Sequence, residues 1–339
     1  MDIKKLARPN IRSLRAYHAE EIPCKVKLDA NESPYGLKVP GAAVTTNRYP
    51  DPEAKALRGL VAKELKVKPE NVLHGNGSDE IISNLIMTFG GPVLYPVPTF
   101  SMYGIISQAI GEKKVAIPLD KDFDLDLNRM LSAIKKERPK LVFLSSPNNP
   151  TGNSFSSEKI SRIIRQSKGL VIVDEAYQQF SGRDTFLPLL EKYRNLVVLR
   201  TLSKVGLAGL RVGFMVADKE IINEVNKVRL PFNLNSLSQK AAADALKNKK
   251  LVRSSISKII AERKRLFREM ADMEGIEPYP SDANFLLFRV NDADRIFRGL
   301  LRKGVLIRNM TGAVESCLRV TVGTPGENTI FLKALKKLL

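Results

Sequence analysis

The stretch from Leu196 to Phe214 reads LVVLRTLSKVGLAGLRVGF and organises the rest of the chain. An apolar run typical of a buried strand leads into two hydroxyls and a lysine, and a glycine-containing turn then ends in an arginine: Thr201, Ser203, Lys204 and Arg211. Hydroxyls and an arginine at a strand end can bind a phosphate. A partly desolvated lysine near other cations becomes a nucleophile. The combination suits a phosphorylated aldehyde bound as a Schiff base, although a surface lysine at a strand end gives the same short pattern.

A second stretch supports this interpretation. Residues 170–177 read LVIVDEAY, a short apolar run that ends in Asp174. Ligands of open α/β sheets bind outside the carboxyl ends of the strands, so Asp174 and Lys204 are predicted to face one crevice. A carboxylate there can pair with a pyridinium nitrogen, and Tyr177 can reach a ring oxygen. Pyridoxal phosphate requires a lysine, a carboxylate and a phosphate site of this kind.

With NNPTG at residues 148–152, these motifs resemble those of the fold-type I aminotransferases, and most closely the histidinol-phosphate aminotransferase family. The resemblance runs from about Ile11 to the C-terminus, with the motifs in the family's order. It implies pyridoxal 5'-phosphate as cofactor. Lys204 would then be the Schiff-base lysine and Asp174 the partner of the ring nitrogen.

The string HGNGSDEII at His74–Ile82 is a glycine-containing turn that leads into an apolar helix. It is not a dinucleotide fingerprint, because glutamate occupies the third glycine position. Ser78 and Asp79 are predicted to start the helix, where free backbone amides and the helix dipole attract phosphate. Capping of the helix by either side chain is compatible with that role.

The resemblance implies further contacts around the cofactor. Phe100 would stack on the pyridine ring, and Asn149 and Tyr177 would bond the ring oxygen. Thr201, Ser203 and Arg211 would hold the phosphate. Without the resemblance, a core phenylalanine and polar loop residues would be the ordinary interpretation of these positions.

The resemblance also places substrate contacts near both ends of the chain. They are Tyr17, Asn31 within LDANESPYG, Asn149, Arg308 and Arg319. Both arginines interrupt apolar strands, which is costly unless each has an anionic partner. A structural salt bridge would satisfy that requirement; the resemblance instead implies that Arg319, assisted by Arg308, holds the substrate's anionic group.

The loop NRYPDP at residues 47–52 carries Tyr49. The resemblance implies that this tyrosine reaches the active site of a second subunit and contacts the cofactor phosphate there. The functional unit would then be a homodimer with shared sites.

One departure from the family concerns the segment between Lys204 and Arg211. The family usually has one residue more there, often with an aromatic soon after the lysine. Here Val205 leads directly into GLAGLR. We therefore expect a tighter turn in front of the arginine.

The length of 339 residues predicts more than one domain. Strands and helices alternate from about Tyr49 to Leu230, which indicates an α/β fold with a mostly parallel sheet covered by helices. We predict an N-terminal arm at 1–38 that joins the small domain, a large cofactor-binding domain at 39–231, and a bridging helix with a smaller α/β C-terminal domain at 232–339.

Composition excludes several classes of function. Two cysteines far apart and two histidines argue against a disulfide framework and a metal site. No apolar run reaches the roughly 18 residues that a membrane helix needs, and the N-terminus lacks a signal core, so we expect a cytoplasmic protein. The net charge of +19 would suit nucleic acid, but lysine and arginine are spread along the chain, and a lysine-rich proteome explains the excess.

The expected reaction is transamination between L-histidinol phosphate and 2-oxoglutarate, which gives imidazole acetol phosphate and L-glutamate. Aromatic amino-acid aminotransferases and threonine-phosphate decarboxylases share nearly every motif and stay open as alternatives. A regulator that senses pyridoxal phosphate would need an added DNA-binding module, for which the sequence before the arm offers no segment. A nucleic-acid-binding protein would account for the charge but for none of the motifs.

Overall fold

The computed structural model describes residues 1–14 and 46–339. Within them, seven strands form the larger sheet. In chain order they are β1 (Val72–Asn76), β2 (Val93–Val97), β3 (Lys114–Pro118), β4 (Leu141–Ser145), β5 (Leu170–Asp174), β6 (Leu196–Thr201) and β7 (Val212–Ala217). Their order across the sheet is β1-β7-β6-β5-β4-β2-β3, and β7 is antiparallel to both of its neighbours while the other pairs are parallel. The sheet is therefore mostly parallel, as the sequence predicted.

Helices precede, connect and follow these strands. They are α1 (Ile3–Leu6), α2 (Pro9–Arg12), α3 (Lys55–Leu65), α4 (Ser78–Phe89), α5 (Met102–Ala109), α6 (Leu127–Glu137), α7 (Ser157–Gln166), α8 (Lys219–Asn226), α9 (Ser236–Lys247), α10 (Lys249–Ala271), α11 (Ala293–Arg302) and α12 (Pro325–Lys336). Short 3-10 turns lie at Pro69–Asn71, Gln178–Phe180, Leu187–Glu191, Ser203–Val205 and Ala208–Leu210. No helix in the described residues is both long enough and apolar enough to cross a membrane.

Both faces of the larger sheet are covered, and β5 shows how the sequence achieves this. Its residues alternate between two apolar cores: Leu170 and Ile172 pack on the side of α4, α5 and α8, and Val171 and Val173 pack on the side of α6 and α7. A strand that is buried on both faces is apolar throughout, because successive side chains point to opposite sides. The apolar run therefore ends where the strand leaves the core, at Asp174.

Helix starts follow local capping chemistry. Asp126 and Asp218 accept backbone N–H groups at the starts of α6 and α8. Helix α3 begins at Lys55, three residues after Pro52. The Asp51 carboxylate accepts the N–H groups of Glu53 and Lys55, and so holds the preceding residues in a turn.

The smaller sheet within the described residues has four strands in the order β10-β11-β9-β8. They are β8 (Ile276–Pro278), β9 (Phe285–Val290), β10 (Arg308–Asn309) and β11 (Cys317–Thr321). All its pairings are antiparallel, although the sequence pattern suggested strands and helices in alternation. Strand β10 has only two residues, and the backbone N–H of Val305, three residues before it, donates to the Leu300 carbonyl near the end of α11.

Two features fix the smaller sheet against the larger one. The bridging helices α9 and α10 meet at Asn248, where the sequence predicted a break. Arg263 of α10 is buried and donates to the carbonyls of Phe180 and Ala283, 3.1 and 2.6 Å away. Phe180 follows β5 and Ala283 precedes β9, so one side chain joins the two parts of the chain.

The described part of the predicted arm packs differently from the expectation. Ile3 and Ala7 lie in the core of the larger sheet with Ile221 and Val225 of α8, not against the smaller sheet. Packing against this core removes these apolar side chains from water, which explains their burial. Residues 15–38 of the predicted arm lie outside the described residues.

Candidate active site

A cavity of about 150 Å³ lies at the carboxyl ends of β4, β5 and β6. Parallel register places Ser145 beside Asp174 and Asp174 beside Leu199, so the strand ends meet at one edge. The cavity is lined by predicted cofactor residues, namely Ser78, Asp79, Phe100, Asn149, Asp174, Tyr177, Thr201, Ser203, Lys204 and Arg211, and also by Ser145, Ala176 and Ala208. The crevice predicted for open α/β sheets is therefore where these side chains converge.

Lys204 enters the cavity from the 3-10 turn Ser203–Val205, directly after β6. Its Nζ lies 5.4 Å from the centroid of the Tyr177 ring. Burial lowers the pKa of the Lys204 ammonium, and the carboxylates of Asp174 and Asp79 act in the opposite direction. Lys204 therefore releases its proton more readily than a surface lysine and is suited to nucleophilic attack.

Asp174 ends β5 and is 4 % exposed. Its Oδ2 accepts a hydrogen bond from the Tyr103 hydroxyl at 2.8 Å, and its Oδ1 accepts one from the Ala176 N–H at 3.1 Å. Burial raises the pKa of the Asp174 carboxyl, while both hydrogen bonds favour the ionised form. The site therefore holds a buried carboxylate suited to a cationic ring nitrogen.

The start of α4 supplies a site for an anion. Ser78 and Asp79 form its first turn, where helix N–H groups and the dipole favour negative charge. Arg211 lies above this turn, with Nη2 3.3 Å from Asp79 Oδ2. Gly77 and Gly213 keep the approach open, because a Cβ on Gly77 would stand 2.6 Å from Arg211 Nη2 and one on Gly213 2.6 Å from the Ser78 nitrogen.

Arg211 reaches this position despite the short segment after Lys204. Gly206 adopts φ 97° and Arg211 φ 54°, so two left-handed residues close the turn in which the family has one residue more. On the other side of the cavity, Thr201 Oγ1 and Ser203 Oγ lie 3.0 Å apart. The predicted phosphate-binding residues are thus gathered around one corner.

Asn149 and Tyr177 form the wall that faces the smaller sheet. Both side chains line the cavity, and Asn149 Oδ1 accepts a bond from Arg319. The Tyr177 and Phe285 rings pack edge to face with centroids 5.2 Å apart, and the Arg319 guanidinium lies 5.1 Å from the centroid of the Phe285 ring. Burial raises the pKa of Tyr177 to about 12, so the phenol stays protonated at neutral pH.

Two arginines of the smaller sheet lie next to this wall. Arg308 is exposed and is the Cα partner of Arg319 across β10 and β11. Burial lowers the pKa of Arg319, the phenol of Tyr177 acts against this, and the charge of Arg308 adds to the lowering. No carboxylate of residues 1–14 or 46–339 forms an ion pair with either side chain. The anionic partner that two adjacent arginine charges require is therefore not a carboxylate of the described residues.

Two groups of predicted residues do not line the cavity. Tyr49 is 58 % exposed and stacks on Phe232 with ring centroids 4.6 Å apart. Tyr49 is not among the residues that line the cavity of its own chain. Tyr17 and Asn31 lie outside the described residues.

Sequence reasoning missed Tyr103 as a contact of the site. Phe100 was selected from VPTFSMYG because of the resemblance, whereas Tyr103 in the same phrase donates to Asp174. The available signal was its spacing: α5 begins at Met102, so Tyr103 lies in the first turn and faces the sheet beside Phe100.

These side chains fit pyridoxal phosphate. Lys204 matches its aldehyde, Asp174 its ring nitrogen, and the glycine-lined start of α4 with Arg211 its phosphate. Bound in this way, the cofactor would also contact Phe100, which lines the cavity. A lysine, a buried carboxylate and an anion site at strand ends of a mostly parallel sheet define a fold-type I pyridoxal-phosphate enzyme.

The chain belongs to the aminotransferase class I and II family, whose model matches residues 16–335. It is 42% identical to the histidinol-phosphate aminotransferase of Caldanaerobacter subterraneus subsp. tengcongensis over 351 aligned positions, 99% of each chain. The family assignment confirms the sequence-based expectations of an aminotransferase and of pyridoxal phosphate as its cofactor.

Solved structures give the same fold. The histidinol-phosphate aminotransferase from Clostridium acetobutylicum superposes with a TM-score of 0.81 at 28% identity, covering 86% of this chain and 90% of that one. The enzyme from Sinorhizobium meliloti in complex with pyridoxal-5'-phosphate gives a TM-score of 0.79 at 27% identity, covering 86% and 82%. The predicted α/β fold of fold-type I aminotransferases is therefore confirmed.

Proposed function

We propose that this chain is a histidinol-phosphate aminotransferase of histidine biosynthesis. It transfers the amino group of L-histidinol phosphate to 2-oxoglutarate and yields imidazole acetol phosphate and L-glutamate. The convergence of Lys204 and Asp174 at one strand edge carries the chemistry of this proposal. The 42% identical relative of that name, matched over 99% of both chains, supports the substrate.

Lys204 and Asp174 are the catalytic pair. Bound pyridoxal phosphate supplies an aldehyde that condenses with amines and a ring that accepts electrons. Lys204 would hold that aldehyde through its Nζ, and its free amine would carry a proton at the substrate's reacting carbon as base and acid. Asp174 would hold a proton on the ring nitrogen through its negative charge, and the hydrogen bonds from Tyr103 and the Ala176 N–H favour that ionised form.

The remaining cofactor contacts orient the ring. Ser78, Asp79, Thr201, Ser203 and Arg211 hold the phosphate at the start of α4. Tyr177 and Asn149 hydrogen-bond the ring oxygen, and Phe100 stacks on the ring. These donors fix the ring, so that proton transfer occurs at a defined face.

Arg319 and Arg308 bind the substrate's anionic group. Their charges stand together without a carboxylate partner in the described residues, and Arg319 is additionally held by Asn149. An arginine fork accepts a phosphate ester or a carboxylate equally well. One pocket can therefore receive histidinol phosphate and then 2-oxoglutarate. Tyr17 and Asn31 complete the substrate contacts.

The active unit is a homodimer in the cytoplasm. Tyr49 is exposed and lies outside its own chain's cavity lining, as a residue that serves a second copy would be. In this arrangement its hydroxyl contacts the cofactor phosphate of the partner subunit. The arm at 1–38, the large domain at 39–231 and the C-terminal part at 232–339 are the units of each subunit.

A panel of amino donors tests the substrate. Purified enzyme is given 2-oxoglutarate with L-histidinol phosphate, tyrosine, phenylalanine or threonine phosphate, and glutamate and carbon dioxide are measured. We expect kcat/KM for histidinol phosphate to exceed that for either aromatic donor by at least about tenfold, the scale of one lost charged contact. A preference for an aromatic donor, or carbon dioxide from threonine phosphate, would overturn the assignment.

A further inference from the structure

Tyr103 contacts Asp174 without lining the cavity. It is 0 % exposed and is absent from the cavity lining, yet its hydroxyl donates to Asp174 Oδ2 at 2.8 Å. The Tyr103 ring stacks on Phe143 of β4 with centroids 4.8 Å apart. It also packs against Phe100 in a T-shaped arrangement, with centroids 5.6 Å apart. Rigid packing therefore fixes the position of the hydroxyl behind the strand ends.

The bond determines how Asp174 presents its two oxygens. Tyr103 holds Oδ2, and the N–H of Ala176 holds Oδ1. Tyr103 is the one side-chain donor to this carboxylate within residues 1–14 and 46–339. A carboxylate that accepts a hydrogen bond at each oxygen has a fixed orientation, and each oxygen keeps a lone pair for a further donor.

Tyr103 always acts as a donor here. Burial and the neighbouring Asp174 charge raise the pKa of its phenol well above the ordinary value, so it carries its proton across the physiological range. A bond from a neutral hydroxyl to an ionised carboxylate is stronger than one between neutral groups.

We propose that Tyr103 is a positioning residue for the chemistry at Asp174: its hydroxyl fixes the carboxylate and keeps it ionised, so that the proton shared with the cofactor's ring nitrogen stays on the nitrogen. Without the hydroxyl, the carboxylate becomes a stronger base and draws that proton towards itself. The ring then accepts electrons less well. This inference rests on the proposed function, because it needs the cofactor in the cavity.

The test compares Tyr103→Phe with Tyr95→Phe. Tyr95 of β2 belongs to the same aromatic cluster, with its ring centroid 6.4 Å from that of Tyr103, and is 8 % exposed. Its hydroxyl forms no hydrogen bond in the described part of the chain. Both substitutions keep the ring, so packing and folding are retained; the thermal unfolding of each cofactor-free protein checks this.

The main readout is the nitrogen NMR signal of bound pyridoxal phosphate labelled with nitrogen-15 in its ring. Wild type and Tyr95→Phe should give the signal of a protonated ring, and Tyr103→Phe a signal shifted towards that of the unprotonated ring. The dissociation constant of the cofactor should rise about tenfold in Tyr103→Phe alone. Turnover should fall about tenfold in kcat with little change in KM.

A double variant separates positioning from general damage. In an Asp174→Asn background, Tyr103→Phe should change cofactor affinity and kcat by less than about twofold, because the partner of the hydroxyl is already altered. An unshifted nitrogen signal in Tyr103→Phe, equal losses in Tyr95→Phe, or additive losses in the double variant would each overturn the proposal. If wild type binds no pyridoxal phosphate, the proposed function itself fails.

Discussion

The two ends of the site differ in how their charges are satisfied. At the cofactor end, Asp174 is buried and held by two donors of its own chain. At the substrate end, Arg308 and Arg319 are neighbours in register and have no carboxylate partner among the described residues. The proposed catalytic carboxylate is thus held in place by donors of its own chain, whereas the two arginines proposed to bind substrate have no such anionic partner. Substitutions that weaken binding or catalysis at one end of the site and spare the other end test this difference.

The largest effect is expected at the cofactor end. Lys204→Ala removes the nucleophile and the proton carrier together, so turnover should fall by at least about ten-thousandfold. The visible absorption band of the lysine-bound cofactor should also disappear. Lys192→Ala, at a solvent-facing lysine in the turn before β6, is the matched control and should keep both. Near-normal transamination by Lys204→Ala would remove the basis of the assignment.

Asp174→Asn keeps the shape of the carboxylate and removes its charge. The ring nitrogen then loses its ionic partner, and kcat should fall at least about a hundredfold, the scale of a positioned catalytic group. Cofactor affinity, measured by titration of the cofactor-free protein, should weaken as well. A variant with unchanged rate and affinity would mean that Asp174 serves only the fold.

Arg319→Ala is expected to weaken substrate binding and to leave the cofactor end of the site unchanged. Loss of a charge-assisted bond to the substrate should lower kcat/KM for histidinol phosphate about a hundredfold, mainly through KM. Cofactor affinity should stay within about twofold of wild type. Arg302→Ala, an exposed arginine at the end of α11, serves as the control. Equal losses in substrate and cofactor binding would abolish the proposed separation of the two ends.

Tyr49→Phe tests whether a second subunit contributes a residue to the cofactor end of the site. Removing a hydroxyl from the cofactor phosphate should weaken cofactor binding about tenfold, the smallest effect in the series. Mixing inactive Lys204→Ala subunits with Tyr49→Phe subunits should restore part of the activity, because one site of each mixed dimer combines an intact Lys204 with an intact partner tyrosine. Absence of recovery on subunit exchange would place Tyr49 outside the partner's site.

The sequence by itself determined which groups stand at the strand ends. β5 and β6 are apolar because they are buried, and each run ends where the chain leaves the core, so Asp174 and Lys204 were found from local pattern alone. The alternation of strands and helices indicated the α/β class, and the family resemblance added fold type I and supported the cofactor that the residues suggested.

Only the tertiary structure decided which partners these groups meet. Tyr103 and Asp174 are 71 residues apart, and Asn149 and Arg319 are 170 apart. The antiparallel placement of β7 and of the smaller sheet belongs to the same category, as does the start of α3 at Lys55. The physical reason is that periodicity records which faces are buried, whereas contacts between distant segments depend on how complete elements pack against each other.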